Sequence, residues 1–219
     1  MSEVNLIAVS KPSAITDCIN PGELLAYIAR VSNPENQNNK ETSSKLVRYL
    51  IKNSHWSPFE MVHMTLEIVT TRDIARQILR HRSFSFQEFS QRYAKVNSFI
   101  TDREARIQDQ KNRQNSIETN DKELKEQFNM KQSELVRKAK EVYDWALDNG
   151  IAKEQARVVL PEGLTQSRMY MAGSLRSWIH YIDFRCSNGT EREHKLIADK
   201  CKELVLIHFP ELEEYWSQP

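Results

Sequence analysis

Between Arg80 and Tyr93 the chain reads RHRSFSFQEFSQRY, and these residue types define the chemistry open to it. Arg80, His81, Arg82 and Arg92 surround one carboxylate, Glu88, with serine hydroxyls interleaved. A guanidinium is a planar fork of N–H donors matched to phosphate or carboxylate oxygens, and one acid cannot satisfy three such forks. The unmatched donors call for an anionic ligand. The preceding run, TTRDIARQILRH, predicts a helix with Thr71 as N-cap, Asp73 in the first turn and an apolar stripe of Ile74, Ala75, Ile78 and Leu79. Arg72, Arg76 and Arg80 then fall at i, i+4 and i+8, where like charges cost ~0.2–0.5 kcal/mol per pair. Asp73 can serve Arg76 at i+3, but no carboxylate lies within helical reach of Arg80, so its partner comes from elsewhere. Isolated surface arginines usually form weak ion pairs. Their density here, among hydroxyls, favours a phosphate or nucleotide site.

The elements that must position this cluster follow from hydrophobic period and punctuation. NLIAV, Asn5 to Val9, reads as a strand, and PGELLAYIARVS as a helix with Asn20 as N-cap and Pro21 at its first position. SKLVRYLIKN carries a helical stripe of Leu46, Val47, Leu50 and Ile51, and Pro58 halts it in a turn exposing His55, Ser57 and Glu60. VHMTLEIVTT alternates as a half-buried strand, with Met64, Leu66 and Ile68 inward. It delivers the chain to the arginine helix. SFSFQEFS is strand or extended loop, with Phe84, Phe86 and Phe89 packing while Ser85, Glu88 and Ser90 face the site.

Residues 101–121 are so poor in apolar groups that they predict a solvated helix or a mobile insertion. Helical period returns from Lys122 to Asp148, through Leu124, Phe128, Leu135, Ala139, Val142, Tyr143 and Ala146, and stops at Asn149-Gly150. IAKEQARVVLP is a short helix in which Arg157, among apolar neighbours, can snorkel, pair or bind ligand. TQSRMYMAGS reads as a strand. LRSWIHYIDFRC reads as a helix with Leu175, Trp178, Ile179 and Ile182 as core stripe, Arg176, His180 and Asp183 on another face, and Arg185 near its end. EREHKLIADKCKELVLIHFP is an amphipathic helix, and ELEEYWSQP a tail.

Composition narrows the function classes. With 31 basic against 30 acidic residues, the net charge of +1 provides no general field for a nucleic-acid backbone or an anionic membrane. No run approaches a membrane span, and the start lacks a basic, apolar and cleavage-site sequence, so the expectation is a cytoplasmic protein. Cys18, Cys186 and Cys201 form no CxxC pair and predict reduced thiols, neither a disulfide framework nor a metal site. Five glycines without a GxGxxG exclude a glycine-rich phosphate cradle, which leaves any diphosphate to side chains.

The cluster resembles the signature of the flavin-dependent thymidylate synthases: Arg-His-Arg, two residues, Ser, one residue, Asn, Glu, one residue, Ser, one residue, Arg. Here these are Arg80, His81, Arg82, Ser85, Gln87, Glu88, Ser90 and Arg92, with Gln87 the one departure. His55 to Glu60 is similar to the family's His, two residues, Pro, Phe, Glu turn. Thr190-Glu191 stands where many members have Ala-Gln.

The resemblance implies reductive methylation of dUMP to dTMP, with 5,10-methylenetetrahydrofolate as carbon donor and FAD, reduced by NADPH, as hydride source. It implies Arg185 as the residue that binds and activates the uracil ring. Ser57, Arg80, His81, Arg82, Glu88, Ser174, Leu175, Arg176 and His180 would contact FAD. The substrate positions would be Gln77, Ile78, Leu79, Arg80, Glu88, Phe89, Ser90, Gln91, Arg92, Arg157 and Arg185. It also implies a homotetramer with sites shared between subunits, and no nucleic-acid or membrane partner.

The expected fold is α+β, a single domain over 1–219, with a mostly antiparallel central sheet flanked by helices and a largely helical polar insertion. The rival readings are a single-stranded nucleic-acid module stacking bases on Phe84, Phe86 and Phe89, and a metal phosphohydrolase using His55, His63 and His81.

Overall fold

Apolar period and the placement of asparagine, proline and glycine account for most element boundaries in the computed structural model, which describes residues 2–217. The chain opens with β1 (Glu3–Val9), α1 (Pro21–Ala29) and α2 (Ser43–Lys52). Asn20 caps α1 by accepting from Glu23 N at 2.8 Å, with Pro21 at its first position, as the sequence predicts. β2 (His63–Thr71) runs straight into α3 (Arg72–Ile78), and β3 (Ser85–Glu88) resolves the strand-or-loop alternative as strand. After these come β4 (Arg106–Gln108), β5 (Ser116–Glu118), α4 (Lys122–Asp148) and α5 (Lys153–Ala156). β6 (Gln166–Ser174) runs straight into α6 (Leu175–Arg185), followed by α7 (Arg192–His208) and α8 (Glu213–Ser217).

The main sheet has the order β1-β2-β6-β3, every pair antiparallel, which bears out the α+β expectation. Its centre is the β2–β6 ladder, paired from His63↔Ser174 to Thr71↔Gln166. Met64, Leu66 and Ile68 of β2 and Met169 and Met171 of β6 are buried on one face. Against them lie Trp178, Ile179 and Ile182 of α6 and Ile197, Cys201 and Val205 of α7. Each large side chain so buried contributes roughly 1.5–3 kcal/mol of transfer free energy. Trp178 keeps its indole N–H satisfied by donating to Met64 O at 3.2 Å.

The polar stretch 101–121 departs from expectation. It is not a solvated helix: β4 and β5 pair as a two-stranded hairpin, whose connection Asp109 organises by accepting from Lys111 N and Asn112 N. Nor is it loose. Arg103 pairs with Asp73 of α3 and with Glu193 of α7 at 3.2 Å, and Arg106 pairs with Glu193 at 2.7 Å. Buried Gln132 of α4 bonds both Arg103 N and Arg103 O. Charge pairing replaces the apolar burial that the composition denies it.

Two further expectations are corrected. On α4, Leu124, Phe128 and Leu135 are exposed, while Val136, Ala139, Tyr143 and Ala146 are buried, the last two joining Val96, Ala156 and Leu160 in a second small core. The run from Glu211 is no loose tail: Leu212 is fully buried, and Tyr215 and Trp216 donate to Asp183 of α6 at 2.8 and 2.7 Å. Gln218 and Pro219 lie outside the described residues.

Gly173, on β6, abuts the Phe84 ring so closely that a Cβ there would lie 2.5 Å from Phe84 Cδ1. Phe84 is itself buried edge-on against Trp178 at 4.8 Å and cannot swing away freely. Gly173→Ala is expected to lower unfolding free energy by ~1–3 kcal/mol through overpacking. Urea denaturation measures it, and an unshifted midpoint would mean that the ring yields at no cost.

Candidate functional site

The site is built where the turn after α3 meets the last turns of α6. His81, just beyond α3, lies against Tyr181 of α6, with ring centroids 4.8 Å apart and edge-on. Arg185, in the last turn of α6, donates from Nε to His81 Nε2 at 2.9 Å, so that nitrogen carries a lone pair. Burial, with Arg185 beside it, pushes the His81 pKa down to about 4, which keeps the ring a neutral acceptor. Burial also lowers the Arg185 pKa from its ordinary value. Among the described residues no carboxylate pairs with Arg185; its guanidinium lies over the Phe184 ring, 4.8 Å from the centroid.

A second grouping forms where the turn before β2 meets the start of α6. Glu60 accepts from Ser174 Oγ at 2.5 Å and from Arg176 Nη1 at 2.6 Å. Those hydrogen bonds hold its carboxyl below the usual range, so it is ionised. Trp56 meets His180 edge-on at 4.7 Å, and Ser57 is exposed at the start of the same turn. Ser177 Oγ donates to Ser83 O at 3.2 Å, tying this grouping to the loop that carries Arg80 and Arg82.

The third grouping stands apart. Arg92 pairs with Glu154 at 3.1 Å, and Arg157 donates to the Glu154 carbonyl at 3.3 Å. A groove of about 510 Å³ beside them is lined by Ser90, Arg92, Tyr93 and Lys153 among others.

The arginines thus fall into two sets. Arg72 pairs with Glu88, Arg76 with Glu162, Arg92 with Glu154 and Arg176 with Glu60. Asp73 serves Arg103 and not Arg76, and Glu88 serves Arg72 and accepts from Ser167 at 2.7 Å rather than meeting its neighbours in sequence. Arg80 and Arg82 are exposed and, among the described residues, pair with no acid. Two buried donors also lack partners, Gln91 Nε2 and Arg176 Nε. This donor set suits the phosphate and carbonyl oxygens of a nucleotide and a flavin dinucleotide.

Of the remaining predicted positions, Ile78 and Leu175 are fully buried, so their side chains belong to the core and only their backbone can meet a ligand. Leu79 is half-buried and Phe89 exposed at the sheet edge. The rival readings lose their geometry. Phe84 is buried and Phe86 packs on the core, which leaves no three-ring stacking surface. Among the described residues no group of three or more potential ligands could hold a metal, and no helix is long and apolar enough to cross a membrane. Sequence reasoning missed Tyr181 and His194, both buried beside Arg185. Their apolar-stripe spacing marks them as core, and only the absence of a satisfied partner on the same helix could have flagged them.

Fold and donor set together define a class: an α+β protein whose unpaired arginine side chains and buried Gln91 amide suit anionic ligands, with no glycine-rich cradle in its sequence. The comparisons give that class a family. Residues 14–211 match the family described as "Thymidylate synthase complementing protein". A "Probable flavin-dependent thymidylate synthase" of Paramecium bursaria Chlorella virus 1 is 50% identical, covering 94% of this chain and 95% of that one. The flavin-dependent thymidylate synthase of a Synechocystis strain is 49% identical over 95% of this chain and 96% of its own. Among solved structures, the UMP/dUMP methylase PolB of Streptomyces cacaoi, bound with 5-Br dUMP, superposes with TM-score 0.83 at 27% identity, over 99% and 95% of the two chains. The chain belongs to the family of flavin-dependent thymidylate synthases.

The neutral imidazoles generate a pH prediction. His81 titrates near 4 and His194 near 3 in the fold, both lowered mainly by burial from an ordinary 6.5. The folded state therefore binds fewer protons than the unfolded chain below about 6.5, so stability is full above that pH and declines as pH falls. Urea midpoints should drop between about pH 7 and about pH 5. A His194→Gln variant should show a shallower drop, and parallel curves would contradict the assignment.

Proposed function

We propose a division of labour among the site residues of this enzyme, which converts dUMP to dTMP. Arg185 is the catalytic residue: its guanidinium stabilises negative charge developing on the uracil edge, which raises electron density at the carbon that accepts the methylene. The observation that carries this reading is a part-buried guanidinium bonded at 2.9 Å to a neutral imidazole and, among the described residues, to no acid. Charge on a ligand, not on the protein, then completes it. Partial burial strengthens that interaction by excluding water.

Gln77, Ser90, Gln91, Arg92 and Arg157 hold the nucleotide, with Arg80 and Glu88 serving nucleotide and flavin together. Ile78, Leu79 and Phe89 line the substrate through backbone or edge contacts. Ser57, His81, Arg82, Ser174, Leu175, Arg176 and His180 hold FAD, for which the free forks of Arg80 and Arg82 and the unpartnered Arg176 Nε provide donors. When bound, FAD reduced by NADPH supplies the hydride, and 5,10-methylenetetrahydrofolate supplies the methylene.

No thiol takes part. Burial pushes Cys186 up to about 12 and raises Cys201, itself fully buried, so neither offers a thiolate near neutrality.

The three groupings of site residues, and the exposed Leu124, Phe128 and Leu135 on one face of α4, support a homotetramer whose sites draw on more than one subunit. We place its work in the cytoplasm, among free nucleotides.

Arg185→Ala is expected to cut dTMP formation by ~10²-fold or more while flavin absorbance persists. Unchanged turnover would reject the role. Mixing an Arg185→Ala variant with an Arg157→Ala variant should restore part of the activity in hybrid oligomers. Strict absence of complementation would argue that each subunit carries its own complete site.

A further inference from the structure

Behind the Arg185–His81 contact runs a line of hydrogen bonds, buried at its Tyr181 and His194 end and open to solvent at Glu191. Tyr181 Oη lies 3.1 Å from His194 Nε2, His194 Nδ1 lies 3.2 Å from Gln77 Oε1, and Gln77 Nε2 donates to Glu191 Oε2 at 2.6 Å. Tyr181 and His194 are almost wholly inaccessible to solvent. Glu191 is held in turn by Arg103 Nη1 at 3.4 Å.

Only one assignment of protons satisfies every member. Glu191 as a carboxylate only accepts, so Gln77 must present its amide N–H₂ to it and its carbonyl oxygen to His194. That oxygen also only accepts, so His194 carries its proton on Nδ1. Its Nε2 is then a lone pair, and the Tyr181 hydroxyl must donate to it. Reversing Gln77 would set an amide oxygen against a carboxylate. Burial opposes a second proton on His194, which would make Nε2 a donor and break the line.

The same tyrosine ring packs edge-on against His81, whose Nε2 receives the Arg185 N–H. The line therefore touches two candidate site residues at once, the amide of Gln77 and, through the His81 ring, the guanidinium of Arg185.

We propose that Glu191, His194 and Tyr181 are positioning residues of this enzyme, which fix the Gln77 amide and the His81 ring so that Gln77 and Arg185 meet the nucleotide in one orientation. This rests on the reading that Gln77 and Arg185 face dUMP.

Tyr181→Phe tests it, because the ring and its edge contact with His81 stay while the hydroxyl that dictates the His194 tautomer goes. Glu191→Gln is the companion variant, exposed and so no threat to folding. Each is expected to raise the KM for dUMP about 3–10-fold, the factor carried by one ordinary hydrogen bond. Gln77→Ala alone should raise it as well. In the Gln77→Ala background the other two changes should add nothing to KM, with melting temperatures as fold control. His194→Gln, which can donate to Gln77 and accept from Tyr181, should retain more dUMP affinity than His194→Phe.

Equal effects of Tyr181→Phe in both backgrounds would overturn the positioning role and leave Tyr181 a purely structural residue. So would an unchanged KM in the single Tyr181 and Glu191 variants while Gln77→Ala weakens dUMP. If Gln77→Ala leaves dUMP binding untouched, the reading beneath the inference fails and the inference with it.

Discussion

The β2–β6 ladder is the constraint on which the other features depend. Its register, His63↔Ser174 through Thr71↔Gln166, is set because Met64, Leu66 and Ile68 must share a face with Met169 and Met171. A slip of one residue would turn either set out to solvent. Each strand ends in a helix with no intervening loop, so the register of the ladder also sets where α3 and α6 begin. Because the strands are antiparallel, the helices start from opposite ends of the ladder, and both pack against α7. That is why His81, Tyr181 and Arg185, far apart in sequence, come within hydrogen-bonding and ring-edge distance.

Electrostatics then divides the arginines by what lies opposite them. Glu60, Glu88, Glu154 and Glu162 each take one guanidinium and so fix its place in the scaffold. Exposed pairs of this kind contribute little to stability. Their value is geometric: Arg176 pinned by Glu60 holds the start of α6 against the turn before β2. Among the described residues Arg80, Arg82 and Arg185 escape such pairing, and the neutrality of His81, enforced by burial, lets it accept from Arg185 without cancelling any of its charge. The hairpin of β4 and β5 plays a related part, since Arg103 links the first turns of α3 and α7 and steadies Glu191 beside Gln77.

Much of this was legible in the residues themselves. The period-two run of β2, the caps at Asn20 and Gly150 and the stripe of α6 depend on neighbours in sequence, and there the reading of strands and helices holds. The dense arginine, serine and glutamate pattern likewise identified the family, because residue types at short fixed spacing survive in the chain as written. The reading failed where a long-range partner decides the outcome. Residues 101–121 looked solvated because composition counts apolar groups, and it could not see acids on α3 and α7 waiting for Arg103 and Arg106. The run from Glu211 looked like a tail because Asp183, the acceptor for Tyr215 and Trp216, lies on another helix.

By itself the sequence determined most of the elements and the kind of ligand the surplus guanidiniums require, since each of these follows from local period, local caps or the count of donors against acids nearby, while the antiparallel α+β class came with the family resemblance. Only the tertiary structure decided which arginines are spent on the protein's own carboxylates and which stay free. It alone joined Gln77, His194 and Tyr181 into one line behind Arg185. The physical reason is that hydrogen bonds and charge pairs act over a few ångströms of space, and which side chains come that close is fixed by sheet register and helix packing rather than by distance along the chain.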